Sequence, residues 1–169
     1  MRTVTAPLRK EHLDLLPHIE RLRTIADGVG VLTEDELRRE VDSIHGFLTR
    51  HLMPHAVAED RVLYPKVAEL MGAPRATATM SLDHVEVVRL AEELGELRVE
   101  LAEGRRPAEV ELDLRRVLYG LYALVRVHFA EEEEIYLPIL DERLSPEEAD
   151  ELFGSMELVA KAVRQGLMR

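Results

Sequence analysis

The sequence predicts an all-α protein, an up-down-up-down four-helix bundle with an additional C-terminal helix. Leu, Ala, Glu, Arg and Val dominate the composition, and this mixture favours helices. Apolar residues recur at steps of three and four, and no stretch alternates with the period of two that is typical of strands. Glycines and prolines divide the chain into long segments with short joints, which favour antiparallel neighbours in a bundle.

The first two helices are predicted at residues 5–26 and 33–71. Gly28 and Gly30 follow the first helix, and the sequence TEDE, which begins at Thr33, is a capping box that opens the second. The second helix stops before Gly72 and Pro74. These two segments form the first half of the predicted bundle.

The remaining helices are predicted at residues 74–103, 107–144 and 145–165. Gly104 ends the third helix, Pro107 lies at the start of the fourth, and the capping box SPEE at Ser145 opens the fifth. We therefore interpret residues 1–169 as a single domain, with the bundle at about 6–143 and the extra helix outside it or at one end. Pro54, Pro65 and Pro138 lie inside predicted helices and should kink them, because proline removes a backbone donor.

Composition and charge exclude several classes of function. The net charge of −11 disfavours a nucleic-acid partner, which requires a basic surface. The absence of cysteine leaves only nitrogen and oxygen ligands for a metal. The sequence contains neither a signal-peptide pattern nor an apolar run long enough to span a membrane, so we expect a cytoplasmic protein without a membrane partner. It indicates no protein partner.

Histidines and carboxylates interrupt the apolar faces of the predicted helices. His12 falls on the buried stripe of the first helix, and His84 is expected to lie in line with Val88 and Ala91 on the third. The second and fourth helices each carry the motif HxxxE, whose two polar residues share a helix face. The members of these motifs are His55 with Glu59 and His128 with Glu132.

The pattern repeats in the two halves of the chain. The spacing from His12 to His55 is 43 residues, and that from His84 to His128 is 44. Each half thus supplies a lone histidine followed by HxxxE, and Tyr and Pro follow both HxxxE motifs. Two buried carboxylates without a counter-charge are costly. Four imidazoles and two bridging carboxylates suit two divalent transition ions, so we predict two iron ions, with manganese or zinc as chemical alternatives.

This ordered set of motifs resembles the hemerythrin-like, or HHE cation-binding, domain over about residues 6–143. The resemblance implies a four-helix bundle around a non-haem di-iron centre with an oxo or hydroxo bridge. Members of the family carry or sense O2, respond to iron, or handle peroxide and nitric oxide. The metal ligands that the resemblance implies match those of the repeat, and they are His12, His55, Glu59, His84, His128 and Glu132.

One position departs from the oxygen carriers of the family. Those carriers have HxxxH on the third helix, whereas Val88 stands four residues after His84 here. We therefore expect a protein that reacts with O2, peroxide or nitric oxide rather than a reversible O2 carrier. The pattern does not decide whether turnover is catalase-like or peroxidase-like, and it indicates no catalytic residue. The alternative is a non-catalytic iron or oxygen sensor, a metal-binding regulatory bundle.

Several side chains are candidates for an additional ligand or a supporting contact. They are Tyr64, His18, His51, Tyr136 and Glu133. Tyr64 follows Glu59 by five residues, which on a regular helix points it about 140° away. A bulge before Pro65 would bring the phenol back towards a metal. The carriers place their last carboxylate five residues after the histidine, at Glu133 here, but helical geometry favours Glu132.

Overall fold

The computed structural model covers residues 3–104 and 107–166, and these residues form helices joined by short turns. In this part of the chain there is no strand, and the predicted all-α bundle with an extra C-terminal helix is confirmed. We number five helices, of which the second and fourth are long runs with internal irregularities. They are α1 (Ala6–Gly28), α2 (34–71), α3 (Ala78–Ala102), α4 (107–143) and α5 (Pro146–Arg164).

Three π-helical turns interrupt the long helices, and each is followed by a proline. In α2, α-helical stretches at Glu34–Phe47, Met53–Ala58 and Tyr64–Met71 alternate with π turns at Leu48–Leu52 and Glu59–Leu63. In α4, a π turn at Glu132–Tyr136 separates Pro107–Glu131 from Leu137–Arg143. A single residue lies between each π turn and its proline. The wider turn accommodates the missing proline donor, so the expected distortions take this form.

The four long helices form a closed ring of neighbours. α1 packs against α2 and α4, and α3 packs against the same two helices from the other side. The capping boxes predicted at Thr33 and Ser145 are both present, each with reciprocal side-chain and backbone hydrogen bonds. α3 begins at Ala78 rather than at residue 74, because residues after Gly72 form turns closed by backbone bonds such as that from Ala76 to Ala73.

The interior of the bundle consists of two apolar clusters with a polar layer between them. The larger cluster includes Leu15 and Val87, and the smaller, which also involves α5, includes Leu8 and Met80. His12 lies between Leu8 and Leu15 in the sequence of α1, and His84 lies between Met80 and Val87 in α3. The polar side chains therefore occupy one level of the bundle, enclosed by apolar layers above and below.

α5 packs on the outside of α2, against the segments Met53–Ala58 and Glu59–Leu63. Its inward face includes Ala149, Met156 and Ala160, all buried. The helix thus covers the part of α2 from which His55 and Glu59 project. Within the described residues, no helix combines the length and apolar character needed to cross a membrane.

Candidate metal centre

Six buried residues converge in the polar layer, and each residue is at most 6 % exposed. They are the six ligands expected from the sequence: His12, His55, Glu59, His84, His128 and Glu132. Their ligand atoms form two groups, in each of which the atoms lie within 4.8 Å of one another. One group contains His12, His55, Glu59 and Glu132, and the other contains Glu59, His84 and His128.

Glu59 belongs to both groups and directs one oxygen towards each. Its Oε1 lies 2.9 Å from His55 Nε2 and 3.7 Å from His12 Nε2. Its Oε2 lies 3.4 Å from His84 Nε2. The carboxylate therefore stands between two sets of imidazole nitrogens, which is the arrangement that a bridging carboxylate requires.

Glu132 spans the same gap from the opposite half of the chain. Its Oε2 lies 3.3 Å from His12 Nε2, and its Oε1 lies 3.6 Å from His128 Nε2. We call the space at His12 and His55 subsite A and the space at His84 and His128 subsite B. Each half of the sequence repeat supplies the two histidines of one subsite, and the two carboxylates lie between them.

Several buried polar atoms in this layer form no hydrogen bond of acceptable geometry, although some of them lie close to one another. They are Nε2 of His12 and His55, both carboxylate oxygens of Glu59, and Oε2 of Glu132. Buried polar atoms in proteins are nearly always paired, and leaving them unpaired costs free energy. Nitrogen and oxygen donors that point at one another across a small space fit a bound cation, which would satisfy all of them at once.

The two central carboxylates have opposite pKa shifts in the metal-free protein. Burial alone would raise the pKa of Glu59, but the surrounding histidines, His55 foremost, lower it well below its usual value. Burial and the nearby charge of Glu59 raise the pKa of Glu132 well above its usual value. Without a cation, this pair therefore favours one ionised and one protonated carboxyl group.

Tyr64 reaches subsite B and is buried there. Its hydroxyl donates to Glu132 Oε1 at 2.7 Å and lies 3.0 Å from His128 Nε2 and 3.5 Å from His84 Nε2. The π turn at Glu59–Leu63 has the i to i+5 bonding of a widened helix, which brings the fifth residue back towards the face of Glu59. The bulge anticipated before Pro65 is thus present.

The other side chains considered as additional ligands lie elsewhere. The Tyr136 hydroxyl donates to the carbonyl oxygen of Ala76 at 3.2 Å. His18 is exposed and stacks on Phe47 at a ring-centroid distance of 4.4 Å, and His51 lies on the same ring at 6.0 Å. Neither histidine belongs to either group of ligand atoms, because both face the surface between α1 and α2.

Val88 also lies outside the site. It is 39 % exposed, whereas Val87 and Ala91 are buried, so the expectation that Val88 continues the line of His84 is wrong. The buried stripe of α3 advances from His84 by three residues and then by four, because core positions in a bundle recur at an average of about 3.5.

Each histidine of the site directs its second ring nitrogen, Nδ1, towards a carboxylate. The partners of His12, His55, His84 and His128 are Glu133, Glu11, Asp60 and Asp83, respectively. Glu133 thus contacts a histidine of the site from outside. Glu11, Asp60 and Asp83 each stand beside a predicted ligand in the sequence, but their positions alone do not indicate a contact with a histidine of another helix.

Two surface cavities approach subsite A. One, of about 360 Å³, lies between α1, α2 and α5 and reaches Glu11 and His55. The other, of about 390 Å³, lies between α1 and α4 and is largely apolar, with His12 and Phe129 in its lining. Small molecules can therefore come close to the polar layer at two places.

The family of the chain is indicated by its match to a family model. A family model described as the hemerythrin HHE cation binding domain matches residues 3–140, which include all six converging side chains. No curated protein and no solved structure matches the chain. Because the family model covers most of the sequence, the chain belongs to the hemerythrin HHE cation-binding domain family.

Proposed function

We propose that the protein binds two iron ions, one in each subsite. His12 and His55 would hold the ion of subsite A, and His84 and His128 that of subsite B. Glu59 and Glu132 would each direct one carboxylate oxygen to the ion of subsite A and the other oxygen to the ion of subsite B. The observation that carries this proposal is the position of Glu59 in both groups of ligand atoms, with its two oxygens directed to different histidines.

Iron is the occupant we propose because of the donor set. Imidazole nitrogen and carboxylate oxygen suit iron, and the chain has no cysteine that would favour softer or thiolate-bound ions. Manganese and zinc accept the same donors, and metal analysis distinguishes them. The buried, unpaired donor atoms support occupancy by a cation of any of these kinds.

We further propose that the site reacts with O2, peroxide or nitric oxide and does not carry O2 reversibly. A bound iron pair supplies redox chemistry towards these small molecules. Tyr64 supports the second part of the proposal, because its hydroxyl lies in subsite B among Glu132, His84 and His128. It takes up space beside the histidines, and it can donate a proton or bind as a phenolate.

The primary experiment combines iron analysis, an absorption spectrum and turnover assays on iron-loaded protein. We expect about two iron ions per chain, near-ultraviolet absorption of a coupled ferric pair, and consumption of hydrogen peroxide or reaction with nitric oxide. The Glu59→Ala variant is the control for unspecific iron. One ion or fewer per chain in fully loaded protein would contradict the two-ion centre, and inert two-iron protein would contradict the proposed reactivity.

A non-catalytic iron or oxygen sensor is the second candidate, and the position of α5 favours it. This helix lies outside the matched residues and packs directly on the segments of α2 that carry His55 and Glu59. Occupancy of the site could therefore change the docking of α5. Hydrogen exchange of α5 with and without iron tests this, and strong protection by iron without peroxide or nitric oxide turnover would favour the sensor.

A further inference from the structure

Four acids surround the candidate metal centre in an arrangement that links all four helices. We propose that Glu11, Asp60, Asp83 and Glu133 form a closed ring of positioning carboxylates, in which each helix orients the histidine of the next. This inference rests on the proposed metal site and extends it from the ligands to the residues that set their direction and basicity.

The four contacts follow the chain in one rotational sense. An acid on α1 holds the histidine of α2, an acid on α2 that of α3, an acid on α3 that of α4, and an acid on α4 that of α1. The distances to Nδ1 are 3.3 Å for Glu11 to His55, 3.0 Å for Asp60 to His84, 3.3 Å for Asp83 to His128 and 2.8 Å for Glu133 to His12.

Helix geometry explains why these acids are neighbours of ligands in the sequence. Successive residues on a helix are about 100° apart, so a residue beside an inward-facing ligand points to the side of the bundle. Glu11 and Asp83 each precede a ligand histidine, and Asp60 and Glu133 each follow a ligand glutamate. All four therefore point at an adjacent helix, where the imidazole of the next ligand lies.

A carboxylate on Nδ1 prepares an imidazole to bind a cation. It accepts a hydrogen bond from Nδ1–H, which keeps the proton on Nδ1 and leaves the lone pair of Nε2 free on the side that faces the site. It also fixes the orientation of the ring and increases the basicity of the nitrogen, and loss of such a partner typically costs about 10–100-fold in metal affinity. In this chain the Nε2 atoms all face the two central glutamates.

Two members of the ring are themselves held by further contacts. Arg9 forms an ion pair with Glu133 and contacts Asp141 at 3.2 Å. The Ser81 hydroxyl donates to Asp60 at 2.6 Å. One of these supported acids serves subsite A and the other serves subsite B, so they are the best positions for a test.

The test is a ferrous titration under anaerobic conditions against a competing chelator, which resolves the affinity of each ion. We expect Glu133→Ala to lower the affinity for one of the two ions about 10–100-fold and to leave the affinity for the other close to that of wild type. Asp60→Ala should lower the affinity for the other ion. In the variants Glu133→Gln and Asp60→Asn the amide oxygen can still accept from Nδ1, so they should recover part of the loss.

The matched control is Glu134→Gln, which removes the same charge from the next residue, an exposed one. It should leave both affinities unchanged. Melting of the metal-free variants checks that each one folds, and the Gln and Asn variants keep the test possible if an alanine variant does not. Unchanged affinities in all ring variants, or an equal loss in Glu134→Gln, would overturn the ring. Wild-type protein that binds fewer than two ions would instead overturn the metal site itself.

Discussion

The hydroxyl of Tyr64 donates a hydrogen bond of 2.7 Å to Oε1 of Glu132, a residue 68 positions further along the chain. The contact joins the two halves of the sequence repeat inside subsite B. Burial and the neighbouring carboxylates Glu59 and Glu132 raise the pKa of the phenol, so it stays protonated in the metal-free protein. A ferric ion in subsite B would have to replace that proton for the phenolate to bind.

Replacement of Tyr64 by phenylalanine tests phenolate ligation. At matched iron content, we expect wild-type protein to show a visible charge-transfer band and Tyr64→Phe to lose it. The variant should retain both proposed ions, because the six converging side chains are unchanged.

Tyr136→Phe is the matched control for that spectrum. Its hydroxyl contacts the carbonyl of Ala76, so the band should persist. Identical spectra for wild type and Tyr64→Phe would show that Tyr64 only lines the wall of the site.

Truncation of either central glutamate should remove metal. Glu59 and Glu132 each face histidines of both subsites, so Glu59→Ala and Glu132→Ala would each remove a donor from both proposed ions. We expect metal content well below two ions per chain, measured after desalting. Full metal content in both variants would place the metal elsewhere on the protein.

Metal removal should lower the melting temperature. Ligand at about 100 times its dissociation constant stabilises the folded state by about 2.7 kcal/mol. For a chain of this size, that corresponds to a shift of about 5–10 °C. Calorimetry of iron-loaded and chelator-stripped protein measures the shift. Equal melting temperatures would show that the ligands bind no ion tightly in the folded state.

The two exposed histidines should be dispensable for metal binding. His18 and His51 flank the ring of Phe47 on the surface between α1 and α2. A double variant with alanine at both positions is expected to bind iron in the same amount and with the same spectrum as wild type. A decrease to one ion per chain would mean that one of them is a ligand after all.

The metal-free protein should lose stability as the pH rises towards 9. Burial alone would lower the pKa of His84, but its hydrogen bond with Asp60 and the nearby carboxylate of Glu59 raise that pKa to about 9, above the usual 6.5. A histidine with a raised pKa stabilises the folded state below pH 6.5, and this contribution disappears as the pH approaches 9. In loaded protein, Nε2 of His84 would bind the proposed ion in its unprotonated form, so we expect no such loss.

Melting curves at pH 6.5 and 9 measure this effect. The difference in melting temperature between loaded and stripped protein should be larger at pH 9. His55, whose pKa is also raised by Glu59 and Glu11 against the effect of burial, contributes in the same direction. If the difference in melting temperature between loaded and stripped protein is the same at both pH values, or smaller at pH 9, the proposed protonation of these histidines is contradicted.

The sequence predicted the bundle and the six converging residues because both leave periodic signals. Apolar spacing indicates which face is buried, and a histidine or glutamate on that face is conspicuous. Pro65 also carried information, because it indicated a local distortion that would redirect Tyr64. The π turn at Glu59–Leu63 is that distortion.

Contacts between helices were harder to predict. The role of Asp60 depends on α3 being the neighbour on that side and on the rotation of His84, and neither is encoded in local spacing. The sequence pattern predicts Val88 in line with His84, since a position four residues away lies only about 40° off on an ideal helix. In the structure the inward positions of α3 run from His84 to Val87 and Ala91, and Val88 is 39 % exposed.

α1 and α4, which both contribute side chains to the candidate metal centre, are also joined near the ends of the bundle. Thr5, at the start of α1, donates backbone and side-chain hydrogen bonds to Asp141, near the end of α4, and Glu133 joins His12 close by. Contacts between positions so distant in sequence form slowly, because a long loop must close first. Iron uptake by refolding protein should therefore lag behind helix formation, and its kinetics report the docking of the last bundle helix on the first.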